Sequence, residues 1–226
     1  MVFTPCRTVA RVIMPCLARM LAKSPAGALA GAMLLLALVA VPAPLRAAPV
    51  EPGAVIGQFN ASLLAAMAQG GTLGYDRRYG ILAGPIDATF DVALMTKIAV
   101  GPSWDSLPEA QQHRISEAFR GFITAVFAQR FDDYSGEQFQ VGGNRAMGSG
   151  TLVESLMVMP SGERIRLNYL MHETPEGWRV VDVYLDGTIS ELAVHRSEFT
   201  AILRRSGVEG LILALERKTQ NPPAPG

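Results

Sequence analysis

The sequence predicts an α+β fold, in which helices from both ends of the chain pack on a curved antiparallel sheet of about four strands. Apolar residues recur at helical spacing up to residue 135 and then alternate with a period of two to residue 185. Short turns rich in Gly and Pro separate the alternating segments, and such connections are typical of antiparallel hairpins. The length and this simple order of elements predict one domain.

Residues 1–47 are the predicted signal peptide. Basic residues precede an apolar run over residues 28–41, and no acidic residue occurs before Glu51, which is the order found in export signals. Cleavage is expected after Ala47. A retained membrane anchor is the alternative, although the apolar run is shorter than the roughly 20 residues that span a bilayer.

Removal of this segment makes the remaining protein acidic. The whole chain has 20 basic and 20 acidic residues, but five basic residues and no acid fall within residues 1–47. The remaining 15 basic and 20 acidic residues give a net charge of about −5, which argues against nucleic acid as a partner. Cys6 and Cys16 both lie in the segment, so thiol chemistry and cysteine-bound metal are excluded from the mature domain.

Three helices are predicted before the sheet. The first covers residues 57–69, and the second covers residues 79–100 and stops at Gly101-Pro102. The third begins at Pro108, because proline suits a first helical turn. Its wide apolar face must lie against a large hydrophobic surface.

Four strands and two further helices follow. The strands are predicted near residues 138–141, 151–159, 164–172 and 178–185, with turns at Gly142-Gly143, residues 160–162 and residues 175–177. Thr188 or Ser190 is placed to cap the next helix, which ends at Gly207, and a short last helix follows. Residues 48–219 form the predicted domain, and residues 220–226 are expected to be a disordered tail.

The histidines do not form a recognisable catalytic site. No G-x-S-x-G nucleophile motif accompanies His113, His172 or His195. Glu191, His195 and Glu198 share one helix face and could converge on a metal. The favoured interpretation is a solvated face, because no second histidine stands at metal-ligand spacing.

Two acidic pairs have structural interpretations that we favour over catalysis. Asp132 and Asp133 are neighbours at a predicted helix end and point to different sides. Asp182 and Asp186 are four residues apart, which would place them on the same face of a strand, and they could line a polar cavity. The favoured interpretation makes Asp186 a turn residue and Asp182 the partner of an arginine on a neighbouring strand. We therefore expect no catalytic residue, no metal and no cofactor.

Several stretches are similar to one known family. They are Tyr75-Asp76-Arg77-Arg78-Tyr79, Val100-Gly101-Pro102-Ser103-Trp104, FDDYSGEQFQV at residues 131–141, Asn168-Tyr169-Leu170 and residues 178–199. In these stretches the chain resembles the MlaC-like (toluene-tolerance auxiliary) family of periplasmic lipid-binding proteins. Residues 101–104 and 186–192 are most similar to its hopanoid-associated HpnM branch.

The resemblance implies a monomeric periplasmic shuttle without catalytic activity. Members of this family hold lipid tails in a deep hydrophobic cavity. They work between an inner-membrane ABC transporter with its lipid-binding ring and an outer-membrane lipoprotein complex. The expected ligand is a phospholipid or a hopanoid. Nine residues on plausible inward faces are the lining candidates, with ordinary core as the equal alternative for each: Phe90, Leu94, Phe119, Ile123, Val126, Phe127, Tyr169, Met171 and Val183.

Two other classes of protein stay open. A small exported enzyme acting on a lipid or isoprenoid would use Asp182 with Tyr169 or Tyr184 as an acid/base pair in the same cavity. A structural partner of a membrane complex, without a ligand of its own, would have a fully packed interior.

Overall fold

A five-stranded antiparallel sheet packs against helices that precede and follow it, in a computed structural model that describes residues 50–222. This arrangement confirms the predicted α+β class. The predicted signal peptide and residues 223–226 of the predicted tail lie outside the described residues. Within residues 50–222, no helix combines the length and apolar character needed to cross a bilayer.

Four α-helices and a 3₁₀ turn precede the sheet: α1 (Pro52–Ala68), α2 (Gly70–Thr89), α3 (Val92–Val100), the turn Gly101–Ser106 and α4 (Glu109–Arg130). The predicted second helix is divided between α2 and α3, because Phe90 is extended and bridges Val180 of the sheet. The amide of Asp91 donates to the Val180 carbonyl over 2.9 Å. The Asp91 carboxylate then caps α3 by accepting from the Leu94 amide at 2.9 Å.

The strands form a meander in chain order: β1 (Gln138–Met147), β2 (Gly150–Val158), β3 (Arg164–Thr174), β4 (Gly177–Leu185) and β5 (Ile189–Ser190). The prediction of a turn at Gly142-Gly143 is wrong, since β1 continues through both glycines. The pairing register shifts between Val141 and Asn144, so the two glycines oppose one residue of β2 and form a β-bulge. The turn lies at Gly148, whose φ is 60°.

A second bulge sets the inner face of β4. Tyr169 pairs with Val183, whereas Met171 pairs with Val180, so β4 has one extra residue between these two pairs. All four side chains are buried in the core. Asp182, which is adjacent to Val183, points to the opposite face of the sheet.

The two predicted C-terminal helices are the two segments of one kinked element, α5 (Glu191–Gln220). Its helical conformation is interrupted at Gly207, where φ is 65° and ψ is −167°, and this confirms the predicted helix end. Ser190 is the cap, because its hydroxyl accepts from the Ala193 amide at 2.9 Å. The helix extends to Gln220, one residue into the predicted tail.

Aromatic rings join the helices to the sheet at the centre of the core. Phe59 of α1 contacts Phe90, Phe127 and Tyr169 edge-on, with ring centroids 5.2, 5.3 and 6.2 Å apart. Edge-to-face contacts of this kind add to the stabilisation from burial. They join α1 and α4 to β3 in the core.

Candidate functional site

A cavity of about 80 Å³ lies between α4, the inner face of β3 and β4, and the start of α5. Side chains of α4 reach it at helical spacing. The strands contribute two pairs that are directly opposed in register, Leu167 with Leu185 and Tyr169 with Val183. The lining is mostly apolar and consists of Phe90, Met95, Phe122, Ile123, Val126, Phe127, Arg130, Phe131, Leu167, Tyr169, Val183, Leu185, Glu191, Leu192 and His195.

Charged side chains mark the side of the cavity that leads to solvent. Arg130 at the end of α4 is exposed, and Glu191 at the start of α5 is half-buried. Burial raises the pKa of Glu191, Arg130 opposes this effect, and Asp182 adds to it. The cavity therefore combines an apolar interior with a mouth that carries one acidic side chain, Glu191, and one basic side chain, Arg130.

His195 lies within a cluster of phenylalanine rings. Its ring centroid is 5.4 Å from those of Phe119 and Phe122 and 6.0 Å from that of Phe199. Burial lowers the pKa of His195 to about 4, so the imidazole is neutral at pH 7. Its Nδ1 is shielded from solvent and has no hydrogen-bond partner within residues 50–222.

The interpretation of Glu191, His195 and Glu198 as a solvated face is wrong, because all three are half-buried. Glu191 and His195 line the cavity, whereas Glu198 forms an ion pair with Lys218. The Lys218 ammonium also lies 5.3 Å from the centroid of the Phe122 ring. Among the described side chains, no three His, Cys, Asp or Glu lie where they could hold a metal.

The nine lining candidates are divided between the cavity and its surroundings. Six of them line it: Phe90, Ile123, Val126, Phe127, Tyr169 and Val183. Phe119 and Met171 are instead fully buried in the core. Leu94 is half-buried, and Met95 lines the cavity in its place because the break before α3 changes the phase of the helix. The role of the nine residues in lipid binding stays a prediction.

Sequence reasoning missed the contribution of α5 and of the strand ends. Leu167 and Leu185 share strand faces with Tyr169 and Val183, so the alternation of β3 and β4 could have identified them. Arg130 follows Val126 by one helical turn on the inward stripe of α4. Glu191 and His195 share one face of α5, but their polarity favoured a surface interpretation, so they were not assigned to the cavity.

Asp182 stabilises the junction between the sheet and α5. Its Oδ1 accepts from the Val183 amide at 2.8 Å and from the Leu192 amide at 3.0 Å, and its Oδ2 accepts from the Ser190 hydroxyl at 2.6 Å. Two of its three partners, the Ser190 hydroxyl and the Leu192 amide, are therefore N-terminal groups of α5. The prediction of an arginine partner is wrong. Asp182 is buried, with 6% of the residue surface exposed.

The cavity does not bring together Asp182 and a tyrosine, which is the acid/base pair that the alternative function as an enzyme requires. Asp182 and Tyr169 point to opposite faces of the sheet, and Tyr184 is not among the lining residues. Asp186 has a φ of 49° in the turn after β4, which confirms it as a turn residue. Asp132 is exposed in the loop after α4.

The fold and the site define an α+β protein with an apolar internal cavity that opens at a polar mouth. The sequence profile of the MlaC protein family matches residues 58–217. The chain belongs to the MlaC family. Its fold is similar to the solved structure of a phospholipid-binding protein from Ralstonia solanacearum in complex with a phospholipid, with a TM-score of 0.67 and 21% identity over 76% of this chain and 98% of that chain. No curated protein matches the chain.

Proposed function

We propose that this protein is a periplasmic lipid-binding shuttle that carries a phospholipid or a hopanoid between the inner and outer membranes. The apolar cavity is the observation that carries the proposal, and membership of the MlaC family supports it. The phospholipid complex of the structural relative favours a phospholipid, whereas the resemblance to the HpnM branch favours a hopanoid.

The proposed protein acts as the monomeric soluble component of an ABC-type lipid transport system. Residues 1–47 are removed on export, and residues 48–219 form the lipid-binding domain. Its partners are the lipid-binding ring of an inner-membrane ABC transporter and an outer-membrane lipoprotein complex. Catalysis has no part in this role.

An apolar cavity is sufficient for carrying a lipid without chemistry. Moving apolar surface out of water stabilises a complex by about 25 cal/mol per Å². A lipid tail can therefore pass from a bilayer into the cavity at little net cost, because both environments are apolar. Arg130 and Glu191 at the mouth are placed to orient a polar head group.

Cargo entry requires the cavity to widen. Its volume of about 80 Å³ lies below the roughly 300 Å³ at the lower end of ligand pockets. One wall is the sheet and the other is made by α4 and α5, so we expect the helices to move away from the sheet as a tail enters. Met95 in the lining has a flexible side chain that can follow this change in shape.

The proposal is tested by native mass spectrometry and lipid extraction of the protein purified from a bacterial host that contains phospholipids and hopanoids and expresses the full chain. We expect one lipid molecule per protein, whose identity names the cargo. A protein that is recovered without lipid, and that also fails to bind added phospholipid and hopanoid, would contradict the proposal.

Val126→Phe is expected to weaken lipid binding by about tenfold or more, because the added ring occupies much of the cavity. The measurement is the dissociation constant for a fluorescent phospholipid. Val194→Phe is the matched control, since Val194 is 51% exposed on α5 and does not line the cavity. Equal losses of affinity in the two variants would argue that lipid binds elsewhere.

A further inference from the structure

Tyr169 presents an unpartnered hydroxyl group in the cavity wall. Its side chain is 0% exposed and lines the cavity, and its Oη has no hydrogen-bond partner within residues 50–222. Burial raises the pKa of Tyr169, so the group is a neutral hydroxyl that can donate and accept.

The neighbours of Tyr169 in the fold offer its hydroxyl no partner. In register, Tyr169 is flanked by Val153 of β2 and Val183 of β4, and the Phe59 ring covers it from α1. A buried hydroxyl without a partner destabilises a fold, and most buried polar groups in proteins are satisfied. Phenylalanine would fill the same space without this cost, so the hydroxyl requires another explanation.

A second unpartnered polar atom belongs to His195, which also lines the cavity. Nδ1 of His195 is shielded from solvent and has no partner among the described residues. It projects from α5, whereas Tyr169 projects from β3. The two residues lie on separate elements of a mostly apolar lining, so a ligand inside the cavity is adjacent to both.

We propose that Tyr169 and His195 hydrogen-bond an oxygen-bearing group in the buried part of the cargo. The inference rests on the proposed lipid-binding function and narrows its cargo to lipids with a hydroxyl or carbonyl group in the portion that enters the cavity. A hydroxyl matches both residues, because it donates and accepts. A carbonyl only accepts, so it matches the Tyr169 hydroxyl as donor.

The test compares three fatty acids of equal chain length: stearate, stearate with a mid-chain hydroxyl and stearate with a mid-chain ketone. The hydroxyl and the ketone are each placed at several mid-chain positions, which gives a positional series of each oxygenated stearate. Every compound competes with a fluorescent fatty acid for binding to the wild-type protein. We expect the best hydroxylated stearate to bind about tenfold more tightly than stearate, which is the effect of a satisfied buried hydrogen bond. Tightest binding of the ketone would identify a carbonyl as the cargo group.

In Tyr169→Phe, we expect the oxygenated stearates to lose their advantage in affinity over stearate. The variant should also melt a few degrees higher than the wild type, because it no longer buries an unsatisfied hydroxyl. Tyr134→Phe is the matched control, since Tyr134 is 45% exposed and does not line the cavity. In His195→Phe, we expect the affinity for the hydroxylated stearate, relative to that for stearate, to fall more than the relative affinity for the ketone.

Two results would overturn the inference and leave the proposed function in place. One is equal affinity of the wild type for stearate and for every oxygenated stearate. The other is a Tyr169→Phe variant that still binds an oxygenated stearate more tightly than stearate. Failure of the wild type to bind any of the three fatty acids, phospholipid or hopanoid would instead overturn both proposals.

Discussion

Replacement of Asp182 by alanine is expected to lower the free energy of unfolding by about 4 kcal/mol. The buried carboxylate accepts three hydrogen bonds, from the Ser190 hydroxyl and from the amides of Val183 and Leu192. Its removal leaves these donors unsatisfied and loosens the start of α5 from the sheet. Urea denaturation followed by circular dichroism measures the change.

Asp182→Asn separates the structural role of the carboxylate from a catalytic one. The asparagine retains an oxygen that can accept from both amides, so we expect about half the destabilisation of the alanine variant, with lipid binding unchanged. Asp132→Ala removes an exposed carboxylate after α4 and should unfold like the wild type. An Asp182→Ala protein as stable as the wild type would contradict the structural role.

Between pH 7 and pH 4 the protein is expected to lose about 3 kcal/mol of stability through His195. Burial lowers the pKa of this residue in the folded protein from 6.5 to about 4. Below pH 6.5 the unfolded chain therefore binds a proton that the folded protein does not bind. Stability is complete above pH 6.5, falls as the pH decreases, and levels off below about pH 4.

The charges around His195 do not reverse this sign. Glu198 raises its pKa, whereas Lys218 and Arg130 lower it, and burial has the largest effect. The measurement is the free energy of unfolding at a series of pH values for the wild type and for His195→Gln, whose curve should be flatter by this amount. The control is His113→Gln, which changes an exposed histidine on α4. Parallel curves for wild type and His195→Gln would show that the ring is not buried as described.

The class of fold was predictable because the signals that indicate it are local. Period and turn chemistry depend on residues a few positions apart, and they predicted α4, four strands, a helix cap at Thr188 or Ser190 and the helix end at Gly207. The division of the second helix was not predictable. Phe90 and Asp91 leave the helix to contact Val180, which is distant in sequence. A pattern of neighbouring residues cannot predict a hydrogen bond to a strand so far along the chain.

The candidate site was partly predictable, because the spacing that indicates an inward face is also a local signal. Spacing on α4, β3 and β4 placed Ile123, Tyr169 and Val183 on inward faces, where the structure has them around the cavity. Spacing did not distinguish the cavity wall from closed core, and the structure buries Phe119 completely in the core. The boundary between cavity wall and closed core depends on how far α4 and α5 lie from the sheet.

The sequence by itself determined most of the elements, their order and the face on which most side chains lie, since each of these depends on backbone geometry over a few residues. Only the tertiary structure decided that His195 is surrounded by phenylalanine rings and that the Tyr169 hydroxyl has no partner. The surroundings of a side chain consist of residues from other elements, and their positions follow from long-range packing and not from neighbours in sequence.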